Sequence, residues 1–185
     1  MIFRKRLVEY NSLEEVFSRI VPFFDGKLTY RENVLSYSSG NISGILKNIR
    51  AAAGVEAEVY HITGDVHYVC LGLPGRRTIL TIHDFYSARR GSWLNRLAIR
   101  ILWYWLPALR VRYITVISEW SRQELLKVIP FARKKIRVIP NPVMIPEGPF
   151  IKEFDAEEPA ILMVGTKPNK NLEGMLETCR GMNCR

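Results

Sequence analysis

Two histidine–aspartate pairs stand at comparable places in the first half of the chain. Residues 78–82, TILTI, form a β-branched run that ends in His83-Asp84, and residues 59–62 form another, running through His61 into Gly64-Asp65. Short apolar runs bounded by turn residues read as buried strands, so each pair falls where a strand hands the chain to a loop. An imidazole there can donate a hydrogen bond to negative charge on a leaving group, or it can serve packing alone. Gly64 lets the backbone approach a ligand, and Asp65 and Asp84 can hold ligand hydroxyls, although turn and cap roles suit these residues equally. Ser118 follows a third run, residues 113–117, and opens a helical pattern. Its hydroxyl and the N–H groups behind it favour an anion, or it caps the helix and nothing more. Lys167, Lys170 and Asn171 lie in and just after a tight loop before the last helical pattern, which on its own reads as a solvated lysine loop.

The elements that must position these residues alternate in type. Residues 113–143 contain a strand, a helix with Trp120, Leu125, Leu126 and Ile129 on its inner face, a stop at Pro130 and a second strand over 136–139. This is one β-α-β unit, which implies parallel strands whose carboxyl ends gather ligands. Further back, Ile2-Phe3 with Leu7-Val8 suggests a first strand, although the basic run Arg4-Lys5-Arg6 between them counts against it. Ser12 and Glu15 form a capping box ahead of a helix over 13–24. A second strand is expected over 27–30 and a second helix over 43–53, closed by Gly54. Asn41-Ile42-Ser43 matches a glycosylation acceptor but reads as a helix N-cap region. Residues 144–159 are polar and proline-bearing and read as a linker, followed by a strand over 160–164 and a helix over 171–179.

Composition narrows the function. The 185 residues are 48% apolar and 24% charged, as in an ordinary globular chain, with a net charge of +9 that points to an anionic partner. Three cysteines without a C-x-x-C spacing suggest neither a disulfide framework nor a zinc site. The basic N-terminus has no apolar stretch behind it, so no secretory signal is read and a cytoplasmic location is expected. Residues 89–112 hold six arginines and no acid, interleaved with Trp93, Trp103, Tyr104 and Trp105. Leu94, Leu97, Ala98, Ile101 and Trp105 fall on one helical face, Arg96, Arg100 and Trp103 on another. The run is too short and too charged to span a bilayer. It reads as a helix on the sheet with a basic outer face, as a segment lying in an anionic membrane surface, or as both. No dinucleotide or P-loop motif and no metal-ligand cluster appears, and the arginines sit on no recognition motif for nucleic acid.

Three stretches, VIS-x-x-S-x-x-x-L at Val116, KIRVIPNPV from Lys135 and VGTKPNKNLEGML from Val164, resemble the family-4 glycosyltransferases, retaining sugar transferases of the two-domain GT-B fold. The resemblance implies an α/β fold: a Rossmann-like parallel sheet flanked by helices over 1–143, the linker over 144–159, and over 160–185 the beginning of a truncated second Rossmann-like, donor-binding domain. It implies transfer of a sugar from a nucleotide-diphosphate donor to an acceptor hydroxyl, in bacterial polysaccharide or glycolipid synthesis, with no metal. The histidine of ILTIHD, His83, then reaches towards the transferred sugar, with Gly64, Asp65, Asp84 and Ser118 on the acceptor side. Lys170-Asn171 matches part of the family's grip on the donor diphosphate; Thr166 stands where arginine is common, next to Lys167. Family members often carry Gly-Gly after the first strand, where this chain has Tyr10-Asn11-Ser12. The implied partners are the nucleotide sugar, a carbohydrate or lipid-linked acceptor and, through residues 89–112, an anionic membrane surface, with no nucleic acid. The alternative is a non-catalytic, truncated relative that binds a membrane surface or a protein.

Overall fold

The computed structural model describes residues 1–5, 12–83, 92–143, 155–157, 159–163 and 170–184. The chain divides into two compact units, Met1–Val143 and Met144–Arg185. In the first, six short strands pair in parallel in the order β2-β1-β3-β4-β5-β6. They are β1 (Ile2–Phe3), β2 (Asn33–Val34), β3 (Tyr60–Ile62), β4 (Thr78–Ile82), β5 (Tyr113–Val116) and β6 (Ile136–Val138). Between them come the helices α1 (Ser12–Ser18), α2 (Ile42–Ala53), α3 (Trp93–Ile99), α4 (Leu106–Arg110) and α5 (Glu119–Val128), with a π-helical stretch Arg100–Trp105 joining α3 to α4. This is a Rossmann-like sheet flanked by helices, as the β-α-β pattern implies.

Alternation along the strands separates the two faces. Ile62, Leu80, Ile82, Ile114 and Val116 point to one face, where they pack with Tyr68, Tyr104 and Leu125 in a single core. His61, Thr81 and Thr115 alternate with them and belong to the other face, where Phe17 of α1 is buried. The core is pinned by polar groups that find partners. Asn48 is fully buried, and its amide donates to Tyr68 Oη at 2.9 Å and to the Tyr37 carbonyl at 3.0 Å. At the other end of the sheet, Lys135 Nζ donates to the carbonyls of Ala108, Leu109 and Val111, placing a cation at the C-terminus of α4.

Four local expectations change. The helix expected over 13–24 ends at Ser18, and a 3-10 turn, Val21–Phe24, follows. Pro22 has no N–H with which to continue the ladder. Residues 27–30 form no strand: Leu28 is exposed, and β1 pairs with Asn33–Val34 instead. Trp120 is 65% exposed, because the buried face of α5 runs through Ser121, Leu125 and Ile129, one residue out of step with it. In the second unit, residues 160–163 are not in a strand, since no neighbouring strand lies alongside them among the described residues to supply a ladder. The helix there, α6 (Leu172–Cys179), forms as expected.

Candidate active site

A parallel sheet puts all its carboxyl ends on one edge, and ligands settle where the strand order reverses. Here the chain goes from β1 outward to β2, then returns past β1 to β3, so the reversal lies between β1 and β3. Thr63 fastens this point: its amide and its hydroxyl both donate to the Ile2 carbonyl, at 3.1 and 3.0 Å. Beside it opens a cavity of about 230 Å³ lined by Arg4 and Lys5 after β1, Tyr37, Ser38, Ser39 and Gly40 after β2, and Asp65 after β3. The lining residues bring polar groups and both signs of charge against a partly apolar wall. Such a surface can hold several hydroxyl groups and one anionic group at once.

The loop after β2 is held from below. The Tyr37 amide donates to Asn48 Oδ1, and Ser39 Oγ lies 2.8 Å from Tyr68 Oη, so the core carries the cavity wall. Asn41 caps α2 by accepting from the Gly44 amide at 2.7 Å, as expected of an N-cap. Gly44 has no room for a side chain: a Cβ would sit 2.1 Å from the Ser38 carbonyl oxygen. Gly44→Ala is therefore expected to push residues 38–40 outward and to lower stability by about 2 kcal/mol, despite alanine's better helix propensity. Urea denaturation checks the loss of stability.

His83 sits at the carboxyl end of β4, half-buried, its ring edge-on to Phe17 with centroids 6.1 Å apart. Phe17 also meets His61 at 5.1 Å and Phe3 at 6.0 Å, so one aromatic ring on α1 packs against both strand-end histidines. His61 Nε2 lies 2.7 Å from Thr81 Oγ1, which lies 2.7 Å from Thr115 Oγ1, a polar chain across three strands. Burial first, then electrostatic repulsion from the N-terminus and from the His83 ring, lowers the pKa of His61 to about 4. His61 is thus neutral near pH 7 and adds no charge beside His83.

The other expected residues fall as follows. Gly64 and Asp65 lie directly after β3. A Cβ on Gly64 would meet Arg4 at 3.6 Å, an ordinary contact, so packing does not demand glycine there. Asp65 is exposed and lines the cavity, while its carbonyl accepts from Trp103 Nε1. Ser118 is the N-cap of α5 and accepts from the Ser121 amide at 3.1 Å. His83, Gly64, Asp65 and Ser118 thus share the carboxyl edge. Lys170 and Asn171 belong to the second unit, at the start of α6, where Asn171 is left-handed with φ 53°. Asp84 and Lys167 lie outside the described residues. No group of three His, Cys, Asp or Glu that could hold a metal occurs among the described residues.

Arg4, Lys5 and residues 37–40 were not singled out from the sequence. A signal for the first two exists: the basic run that counted against a first strand is what immediately follows it.

The family model for Glycosyltransferase Family 4 matches residues 15–145, a span that ends close to the boundary between the two units. No curated protein and no solved structure matches the chain. A family match over well more than half of its length, on a parallel sheet with polar groups at its carboxyl edge, establishes that the chain belongs to Glycosyltransferase Family 4.

Proposed function

We propose that the protein takes part in transfer of a sugar from a nucleotide-diphosphate sugar to an acceptor hydroxyl, with the anomeric configuration of the donor retained. The observation that carries this reading is the cavity where the strand order reverses, in a chain of this family. Arg4, Lys5, Ser38, Ser39 and Asp65 offer donors and acceptors suited to a carbohydrate or lipid-linked acceptor. Gly64 leaves that approach open, and the capped start of α5 at Ser118 adds N–H dipoles to the same edge. In the reaction the bond between the anomeric carbon and the diphosphate oxygen breaks, the diphosphate keeps the electron pair, and the acceptor oxygen bonds to that carbon. His83 donates a hydrogen bond to the transferring sugar and the departing diphosphate. Lys170, Asn171 and Lys167 are the residues that bind the donor's diphosphate in this reading, and no metal takes part.

The test is release of nucleoside diphosphate coupled to transfer of labelled sugar, screened over nucleotide sugars with carbohydrate and lipid-linked acceptors. Stoichiometric release and transfer is the expected result. Binding of an acceptor without turnover of any donor would favour the reading as a non-catalytic relative.

A further inference from the structure

The helical segment between β4 and β5 shows an apolar stripe that is largely exposed among the described residues. α3 has no buried residue. Trp93, Leu94 and Leu97 are 66%, 58% and 42% exposed, and the stripe continues through Ile101 and Trp105 to Leu109 at 64%. From Trp93 the stripe recurs every four residues, a spacing that drifts by about 40° per step on a helix of 3.6 residues per turn. The wider turn of the π-helical stretch Arg100–Trp105 takes up part of that drift and keeps the stripe on one side. The sheet is met instead by Tyr104, Pro107 and Ala108, which are buried. The sequence pattern identifies the apolar face, and the structure turns it outward.

The stripe ends in a basic groove. Leu109, Gly75 and Arg76 line both a pocket with Leu71 and Leu106 and an adjoining groove of about 510 Å³. That groove adds Arg112, Lys134 and Arg137, all exposed, around Tyr113, and none of its lining residues is acidic. The guanidinium groups of Arg112 and Arg137 lie 5.5 and 5.6 Å from the Tyr113 ring centroid. Of the wall's other cations, Lys135 is committed to backbone carbonyls as described and Arg110 to Cys70 and Leu73, while Arg137, though exposed, also donates through Nη1 to the carbonyls of Lys134 and Ile136. Arg76, Arg112, Lys134 and Arg137 remain turned to the surface.

We propose that this face docks on an anionic lipid bilayer, the stripe entering the boundary between headgroups and acyl chains and the four cations meeting headgroup phosphates. Charge complementarity chooses the occupant. An aliphatic and tryptophan stripe bordered by cations without acids matches a negatively charged interface. The groove lies at the amino ends of β4, β5 and β6, away from the carboxyl-edge cavity, so docking leaves that cavity open.

The test is cosedimentation of the full chain with vesicles of phosphatidylcholine alone and with roughly a third phosphatidylglycerol, at low salt. Binding to the anionic vesicles with a blue shift of tryptophan emission is expected, and little binding to the neutral ones. Arg112→Gln with Arg137→Gln should lower the partition coefficient about 30-fold, from roughly a fivefold effect per charge. Trp93→Ser with Leu97→Ser should lower it at least about tenfold. These side chains are exposed, so unchanged circular dichroism and melting are expected of all variants. Absence of binding, equal binding to both vesicle types, or indifference to the Trp93 and Leu97 changes would overturn the proposal. So would steeply salt-dependent binding to duplex DNA without vesicle binding, which would assign the groove to nucleic acid.

Discussion

His83→Ala is expected to lower the turnover of sugar transfer by about 10²- to 10³-fold, the range typical of removing one group that gives a proton or hydrogen bond to a leaving group. The side chain stands at the carboxyl end of β4, and its described ring contact is edge-on with Phe17. Losing that contact costs about 1 kcal/mol, too little to unfold an ordinary domain. Activity and stability should therefore separate: the variant melts close to the parent while its rate collapses, and the KM for donor moves little. His83→Asn, which keeps a hydrogen-bond donor, should recover part of the rate. Steady-state release of nucleoside diphosphate measures all three proteins. A rate within about threefold of the parent would instead make His83 a packing partner of Phe17 and nothing more.

His61 carries the second large effect, on stability. Its pKa falls from 6.5 to about 4 in the folded protein, first because it is buried and then because the N-terminus and the His83 ring nearby disfavour a second positive charge. Unfolded chains take up the proton as the pH falls through 6.5, while folded ones do so only near 4. The unfolded state thus binds more protons across that window, and stability drops as the pH falls. The stabilisation is fully present above pH 6.5; about 2 kcal/mol of it is gone by pH 5 and about 3 kcal/mol below pH 4. His61→Gln keeps a polar atom for Thr81 and removes the titration, so this component of the pH dependence should vanish. Urea denaturation at pH 7 and pH 5, for parent and variant, reads the difference. Equal pH dependence in both would refute the assignment.

The central strands were legible because β4 and β5 are β-branched runs, and β3 and β6 are short runs carrying isoleucine or valine between polar turns, and the core face follows from alternation. Edge strand β2 was not: Asn33–Val34 is two residues long and partly exposed, and its place depends on pairing with β1 rather than on its own composition. Arg4 and Lys5 look wrong inside a strand and lie just past β1, while Leu7 and Val8, the rest of the expected first strand, lie outside the described residues. In α5 a tryptophan outweighed a serine in the pattern, yet the small Ser121 is the residue turned inward. His83, Gly64, Asp65 and Ser118 could be placed on one edge from the β-α-β logic alone. The cavity beside them could not, since it joins loops after three strands that are far apart in the chain. For residues 93–109 the period told of an apolar face but not of what lies against it. That depends on Tyr104, Pro107 and Ala108 reaching the sheet first.

The most direct measurement is the transfer reaction itself, run with the full chain, an anomerically defined nucleotide sugar and an acceptor, and followed by proton NMR of the product. One nucleoside diphosphate is expected per glycosidic bond formed, with the anomeric proton coupling of the donor preserved in the product. A product of inverted configuration, or release of diphosphate with free sugar and no acceptor bond, would contradict that expectation.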